Sequence, residues 1–148
     1  WIRTASAPRL AVSSDDFELS IADITNGAIG LLDEVSAPDG KLPGEENEFA
    51  HTDLSDFYAN VEGAEEAYLA VRDIAAAAGE DGEALVAELD EQFAAMKELL
   101  NSYGDYATGF ADYSTVTPDE RTELGAQLNA LSEPLSQLTG TVLGIPGE

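Results

Sequence analysis

Between Gly44 and Phe57 the chain reads GEENEFAHTDLSDF, and this stretch concentrates the residues that could do chemistry. It holds the sole histidine, His51, together with five carboxylates: Glu45, Glu46, Glu48, Asp53 and Asp56. Carboxylate oxygens with one imidazole form a hard donor set suited to iron or another hard cation. Two adjacent glutamates, a histidine five residues on and an aspartate at a helix start could converge on one ion. The same residues also suit a plainer arrangement, an acidic loop running into a capped helix. The positive end of a helix dipole opposes a cation there, and it favours Asp53 and Asp56 in a first turn. No motif of fixed ligand geometry is complete, so the residues alone leave both readings open.

Other chemistries find less support. Serines are plentiful and His51 could act as a base, but no nucleophile elbow surrounds any serine. A phosphate-binding glycine loop is absent. The HExxH motif is absent too, and His51 is followed by Thr52, Asp53 and Leu54 rather than by HxxE. With no cysteine, thiolate metal sites, a cysteine nucleophile and disulfides are excluded.

The chain of 148 residues is long enough for one domain with a core. Its formal net charge of -24 argues against nucleic acid and anionic membrane surfaces as partners. A salt-adapted or generally acidic proteome would give the same charge. With 44% hydrophobic residues at regular spacing, the chain does not read as a disordered acidic tail. No apolar run reaches transmembrane length. The first residue is Trp1 rather than methionine, so the expectation is a processed or truncated product.

Four helical patterns would position the candidate residues. Ser20 and Asp23 make a capping-box start, and Ile21, Ile24, Ala28, Leu31 and Val35 follow as one apolar face, so a first helix is expected over 21–37. Asp33 faces outward there and Glu34 flanks the stripe. A second helix starts near Thr52 or Asp53 and keeps its seam from Leu54 to Ala78, with Gly79 as the stop. On that wheel Asp53 and Asn60 flank the seam, and Asp56 turns toward solvent. A third helix is expected over 82–103, with Met96 as core filler. Residues 104–116 read as an aromatic loop with Tyr106, Phe110 and Tyr113, either lidding the core or offering a platform to a sugar or peptide. Thr117, Pro118 and Glu120 open a fourth helix whose stripe runs from Leu124 to Val142, with a kink expected at Pro134. The fold class is therefore all-α, a four-helix bundle. Residues 14–148 would form the bundle, and the irregular 1–13 would be an extended linker.

The run LLDEVSAPDGKLPGEENEFAHTDLSDFYANVEGAEEAY resembles the imelysin-like iron-uptake proteins, the EfeO/EfeM group of peptidase family M75. The likeness rests on Leu31 to Val35, Gly44 to Glu46, His51 to Leu54, Asp56, Phe57 and Asn60 to Ala64, and it extends to YSTVTPDER and LSEPLSQL. Ala50 departs from the family's usual serine, and the Pro/Gly loop differs in length. The resemblance implies that this chain corresponds to the C-terminal of two bundles, with the family's HxxE motif in a missing N-terminal half. It implies a binding protein rather than an enzyme, despite the peptidase label. Such a protein is exported, periplasmic or extracellular or lipid-anchored through its N-terminus. It captures ferrous or ferric iron, or a similar divalent cation, for a membrane permease beside a haem peroxidase, with no organic cofactor. On matching positions the implied metal residues are Glu34, Glu45, Glu46, His51 and Asp53. The alternatives are a carbohydrate-binding (alginate-like) module using Tyr106, Phe110 and Tyr113, or a metallopeptidase remnant.

Overall fold

Local capping chemistry sets two of the helix starts in the computed structural model, which describes residues 20–43 and 50–144. Helix α1 spans Ile21–Ser36; the Ser20 hydroxyl accepts from the Asp23 N–H, and the Asp23 carboxylate accepts from the Ser20 N–H at 3.0 Å. Helix α4 spans Pro118–Leu143 and opens on the same reciprocal pair, Thr117 and Glu120, with proline in the first turn where its missing N–H costs nothing. Between them lie α2, Asp53–Ala76, and α3, Glu80–Asn101. The bundle expected from the apolar seams is the observed architecture. The stretch 1–13, expected as a linker, lies outside the described residues.

Each helix packs on its neighbours in sequence, and α4 closes the ring on α1. Cross-helix pairs show antiparallel neighbours. Thr25 near the start of α1 meets Thr139 near the end of α4 at 2.6 Å, and Asn60 in α2 donates to the Leu31 carbonyl at 2.8 Å. The seam residues Leu54, Phe57, Val61, Tyr68, Leu89, Phe93, Leu124 and Leu131 are all buried. Helix α4 runs uninterrupted through Pro134, which is itself buried.

Polar groups pin α2 to α3 at the edge of this core. The Tyr68 hydroxyl donates to Asp90 at 2.7 Å, and Arg72 Nε donates to the same carboxylate at 3.0 Å. These bonds, Arg72's foremost, hold the Asp90 carboxyl below its ordinary range. Further along, Lys97 pairs with Glu65 at 2.6 Å.

The α2–α3 connection lies two residues earlier than the sequence suggests. The second helix ends two residues before Ala78, and the third begins at Glu80, ahead of the expected 82. Gly79 turns the chain with φ 102°, and Gly82 already lies in the helix, so close to α2 that a β-carbon would strike the Ala75 carbonyl. The 104–116 loop also has more order than expected. Strand β1, Gly104–Asp105, pairs antiparallel with β2, Gly109–Phe110, and a 3-10 turn follows at Tyr113–Thr115.

Candidate functional site

The α1–α2 and α3–α4 connections meet at one end of the bundle. His51, one residue before the end of the first of them, takes a left-handed conformation, φ 53°, uncommon for a side-chain-bearing residue. Its carbonyl accepts from the Tyr113 N–H at 3.1 Å, tying the two connections together. Tyr113 is 2% exposed and its hydroxyl donates to the Leu42 carbonyl. Arg121, in the first turn of α4, donates to the Pro43 carbonyl at 3.1 Å and the Val116 carbonyl at 3.2 Å. Its guanidinium lies 4.6 Å from the centre of the Tyr113 ring, a cation–π contact.

Helix α2 starts from this knot. Thr52 occupies the position before the helix, but its side chain caps no helical N–H; its carbonyl takes the first bonds, from Ser55 and Asp56. Asp53, expected beside the seam, is fully buried, and with Lys41 it is one of two buried charged side chains among the described residues. Its charge acts on the Tyr113 phenol, which arrives from the other connection. Asp56 is half-buried rather than turned fully to water.

Of the metal residues implied by sequence, His51 and Asp53 share this turn. Glu34 is exposed near the end of α1, its carboxylate 3.4 Å from Asn60 Nδ2. Glu45 and Glu46 lie outside the described residues. Among the described residues, no three histidine, aspartate or glutamate side chains form a group that could hold a metal ion.

Beside His51 a shallow cleft of about 350 Å³ is lined by His51, Thr52, Ser55, Asp105, Tyr106 and Asp112. Asp112 accepts from the Ser114 N–H and hydroxyl, Asp105 from Thr108 and Ala107, and these bonds hold both carboxyls below their ordinary range. The aromatic residues do not make a three-ring platform. Tyr113 is buried, Phe110 is half-buried against Tyr58 at 5.4 Å, and Tyr106 is 59% exposed while standing edge-on to Tyr58. A larger open groove of about 1330 Å³ lies toward the other end, among Ile74, Leu85, Gln137 and Leu143.

Tyr113 is legible in sequence as a residue that lids the core, but its contacts with Arg121 and the first connection appear only once the two connections meet. One signal was available: Arg121 is one of just six basic residues, and it stands at a helix start where the dipole disfavours a cation.

Burial, foremost, pushes the Tyr113 phenol up to about 12; the negative charge of Asp53 adds to it and Arg121 opposes it. An unfolded tyrosine titrates near about 10. The folded form thus keeps a proton that the unfolded chain releases, and this stabilisation is complete below the unfolded value and is lost as pH rises through the folded one. Urea unfolding of the wild type should show stability falling between pH 10 and about 12. Tyr113→Phe should lessen that fall, the rest coming from the raised phenols of Tyr68, Tyr103 and Tyr106; an unchanged slope would contradict the burial of the phenol.

The two end connections of this helical bundle are thus tied together through His51, Tyr113 and Arg121. The family model described as Imelysin, of peptidase family M75, matches residues 1–138, and the chain belongs to this family. Its relatives include an "Efem/EfeO family lipoprotein" of Staphylococcus haemolyticus, 36% identical over 132 residues, which are 89% of this chain and 44% of the relative. "Iron uptake system component EfeO" of Escherichia coli is 38% identical over 122 residues, 82% of this chain and 31% of that protein. "Iron uptake system component EfeM" of Pseudomonas syringae pv. syringae is 33% identical over 141 residues, 90% of this chain and 48% of that protein. The chain thus spans about a third to a half of the length of these relatives.

Proposed function

We propose that the chain is part of an envelope-located iron-uptake component that binds iron as cargo and passes it to a membrane permease, and is not an enzyme. The observation that carries this reading is the family membership, with relatives of 33% to 38% identity named as iron uptake components or as a lipoprotein of that family. The chemistry of the chain supports it. Glu34, Glu45, Glu46, His51 and Asp53 offer hard oxygen donors and one imidazole. With a net charge of -24, the surface field raises the local cation concentration. The described part of this donor set falls short of a complete coordination sphere. It therefore serves as one wall of a site, the rest coming from the further half that the longer relatives contain.

Calorimetric titration of the full-length protein with ferrous and ferric iron tests the reading. A protein with Glu34→Gln, Glu45→Gln and His51→Ala together should lose at least about 100-fold in affinity, roughly 2.7 kcal/mol. Unchanged affinity in the triple variant would reject the ligand assignment. Absence of binding by the wild type to either ion would reject the iron reading itself.

A further inference from the structure

We infer that the open groove at the α2–α3 end of the bundle docks an apolar, basic helical segment of a partner protein. The inference does not rest on the iron reading. The groove, about 1330 Å³, draws on three helices: Ile74 from the end of α2, Leu85 from the start of α3 and Leu143 from the end of α4. Leu85 forms part of its floor and is 6% exposed, while Ile74 and Leu143 are 45% and 47% exposed. Four large hydrophobic side chains are exposed among the described residues, and two of them line this one groove. Apolar surface gathered in this way marks an interaction site, whereas single exposed apolar residues need no explanation.

The helix patterns show why this surface is not part of the core. Ile74 precedes the seam residue Ala75 by one position, so it lies off the apolar stripe that packs α2 into the bundle. From Pro134 to Leu143 helix α4 carries no charged residue, in a chain with 30 acidic ones. Its contribution to the groove is small and uncharged, with Ser136, Gln137 and Gly140 beside Leu143. Gly140 and Gly82 add no side chain to fill the space. An apolar neighbour therefore meets no charge on that wall.

The opposite wall fixes the sign of the partner. The charged residues lining the groove are Asp81 and Glu88, both exposed and both on α3. Asp81 also suits the positive start of α3, but Glu88 lies beyond the first turn, where the dipole has faded. Seven residues apart, the two carboxylates share one helix face. Lysine or arginine beside a partner's apolar stripe complements them, and the net charge of -24 steers such a partner in. The same field disfavours an anionic lipid surface, so the occupant is a protein segment. A docked helix sets its residues at i, i+3 and i+4 against Ile74, Leu85 and Leu143 and its cations against Asp81 and Glu88.

A short synthetic peptide of leucine and lysine, patterned as an amphipathic helix, is the probe. Its binding to the full-length protein is read by fluorescence anisotropy at low salt. Ile74→Ser with Leu143→Ser leaves the charge unchanged and should weaken binding at least about tenfold through lost apolar burial. Asp81→Asn with Glu88→Gln should weaken it about threefold and make it less sensitive to salt. Leu69→Ser alters an exposed leucine of α2 outside the groove and should bind the peptide as the wild type does. A glycine–lysine peptide of equal charge should bind the wild type far more weakly, a comparison that depends on no variant folding. Equal binding of the two peptides would reduce the effect to bulk charge and overturn the proposal. So would a serine pair that binds as the wild type does. A wild type that takes up no leucine–lysine peptide overturns it too, since the groove is then already filled or binds nothing.

Discussion

Phe93→Ala is expected to lower the stability of the bundle by about 3–5 kcal/mol, the range for removing a large aromatic side chain from a packed core. Phe93 is 1% exposed and stacks on Tyr68 with ring centroids 5.4 Å apart and planes 16° from parallel. The loss combines the transfer energy of the ring, the cavity left behind and the aromatic pair itself, worth about 0.5–1.5 kcal/mol beyond its buried area. Relaxation into the cavity is restricted on one side. The hydroxyl of Tyr68 is held by Asp90, which Arg72 grips in turn, so the Tyr68 ring cannot slide far without breaking those bonds. The upper half of the range is therefore expected. Since domains have about 5–15 kcal/mol in total, the variant should unfold in urea at a far lower midpoint with an unchanged slope. Phe93→Leu, which keeps most of the volume, should cost clearly less. A loss under about 1 kcal/mol for the alanine variant would mean that the ring is not packed as described.

The apolar seams made the bundle legible because the forces behind them are local in sequence and periodic. Leu54, Phe57, Val61, Ala64, Tyr68, Val71 and Ala75 are all buried, as their spacing requires. Caps were equally readable, since Ser20–Asp23 and Thr117–Glu120 satisfy backbone donors three residues apart. The helix boundary around Gly79 was misplaced for a tertiary reason. Gly82 reads as the start of the third helix in sequence, yet the helix begins two residues earlier, and the missing β-carbon of Gly82 lets α3 approach the Ala75 carbonyl. The hairpin at 104–110 left a local trace that the aromatic residues obscured: Gly104 and Gly109 both take positive φ, and Asp105 accepts from the N–H groups of Ala107 and Thr108. At the site, His51 and Asp53 are neighbours in sequence and were readable together. The contacts of Arg121 were not, because they reach the Tyr113 ring and the Pro43 carbonyl, which meet only when the two connections fold together.

That dependence makes Gly40 a place where a small change should reach the site. Gly40 is buried just beyond α1, and its N–H donates to the Ala37 carbonyl at 2.9 Å. A β-carbon there would clash with the Glu34 carbonyl and come within 2.9 Å of the Val35 oxygen and 3.0 Å of the Ala37 oxygen. All three are backbone atoms at the end of a helix, so no side-chain rotation relieves the overlap. The chain must move outward instead, carrying Leu42 and Pro43 with it and straining the bonds from Leu42 N–H to the Val35 carbonyl, from Tyr113 to Leu42 and from Arg121 to Pro43. Gly40→Val should therefore cost at least about 2 kcal/mol, within or above the usual range for overpacking. It should also disturb the ring-proton resonance of His51, the sole histidine, though residue 40 lies eleven positions from that imidazole. Gly30→Ala provides the comparison, because a β-carbon at that helical glycine meets nothing within 4 Å. Alanine has the higher helix propensity by about 1 kcal/mol, so Gly30→Ala should stabilise the bundle and leave the imidazole signal alone. If Gly40→Val melts with the wild type and keeps the His51 signal, the first connection is not pressed against the end of α1.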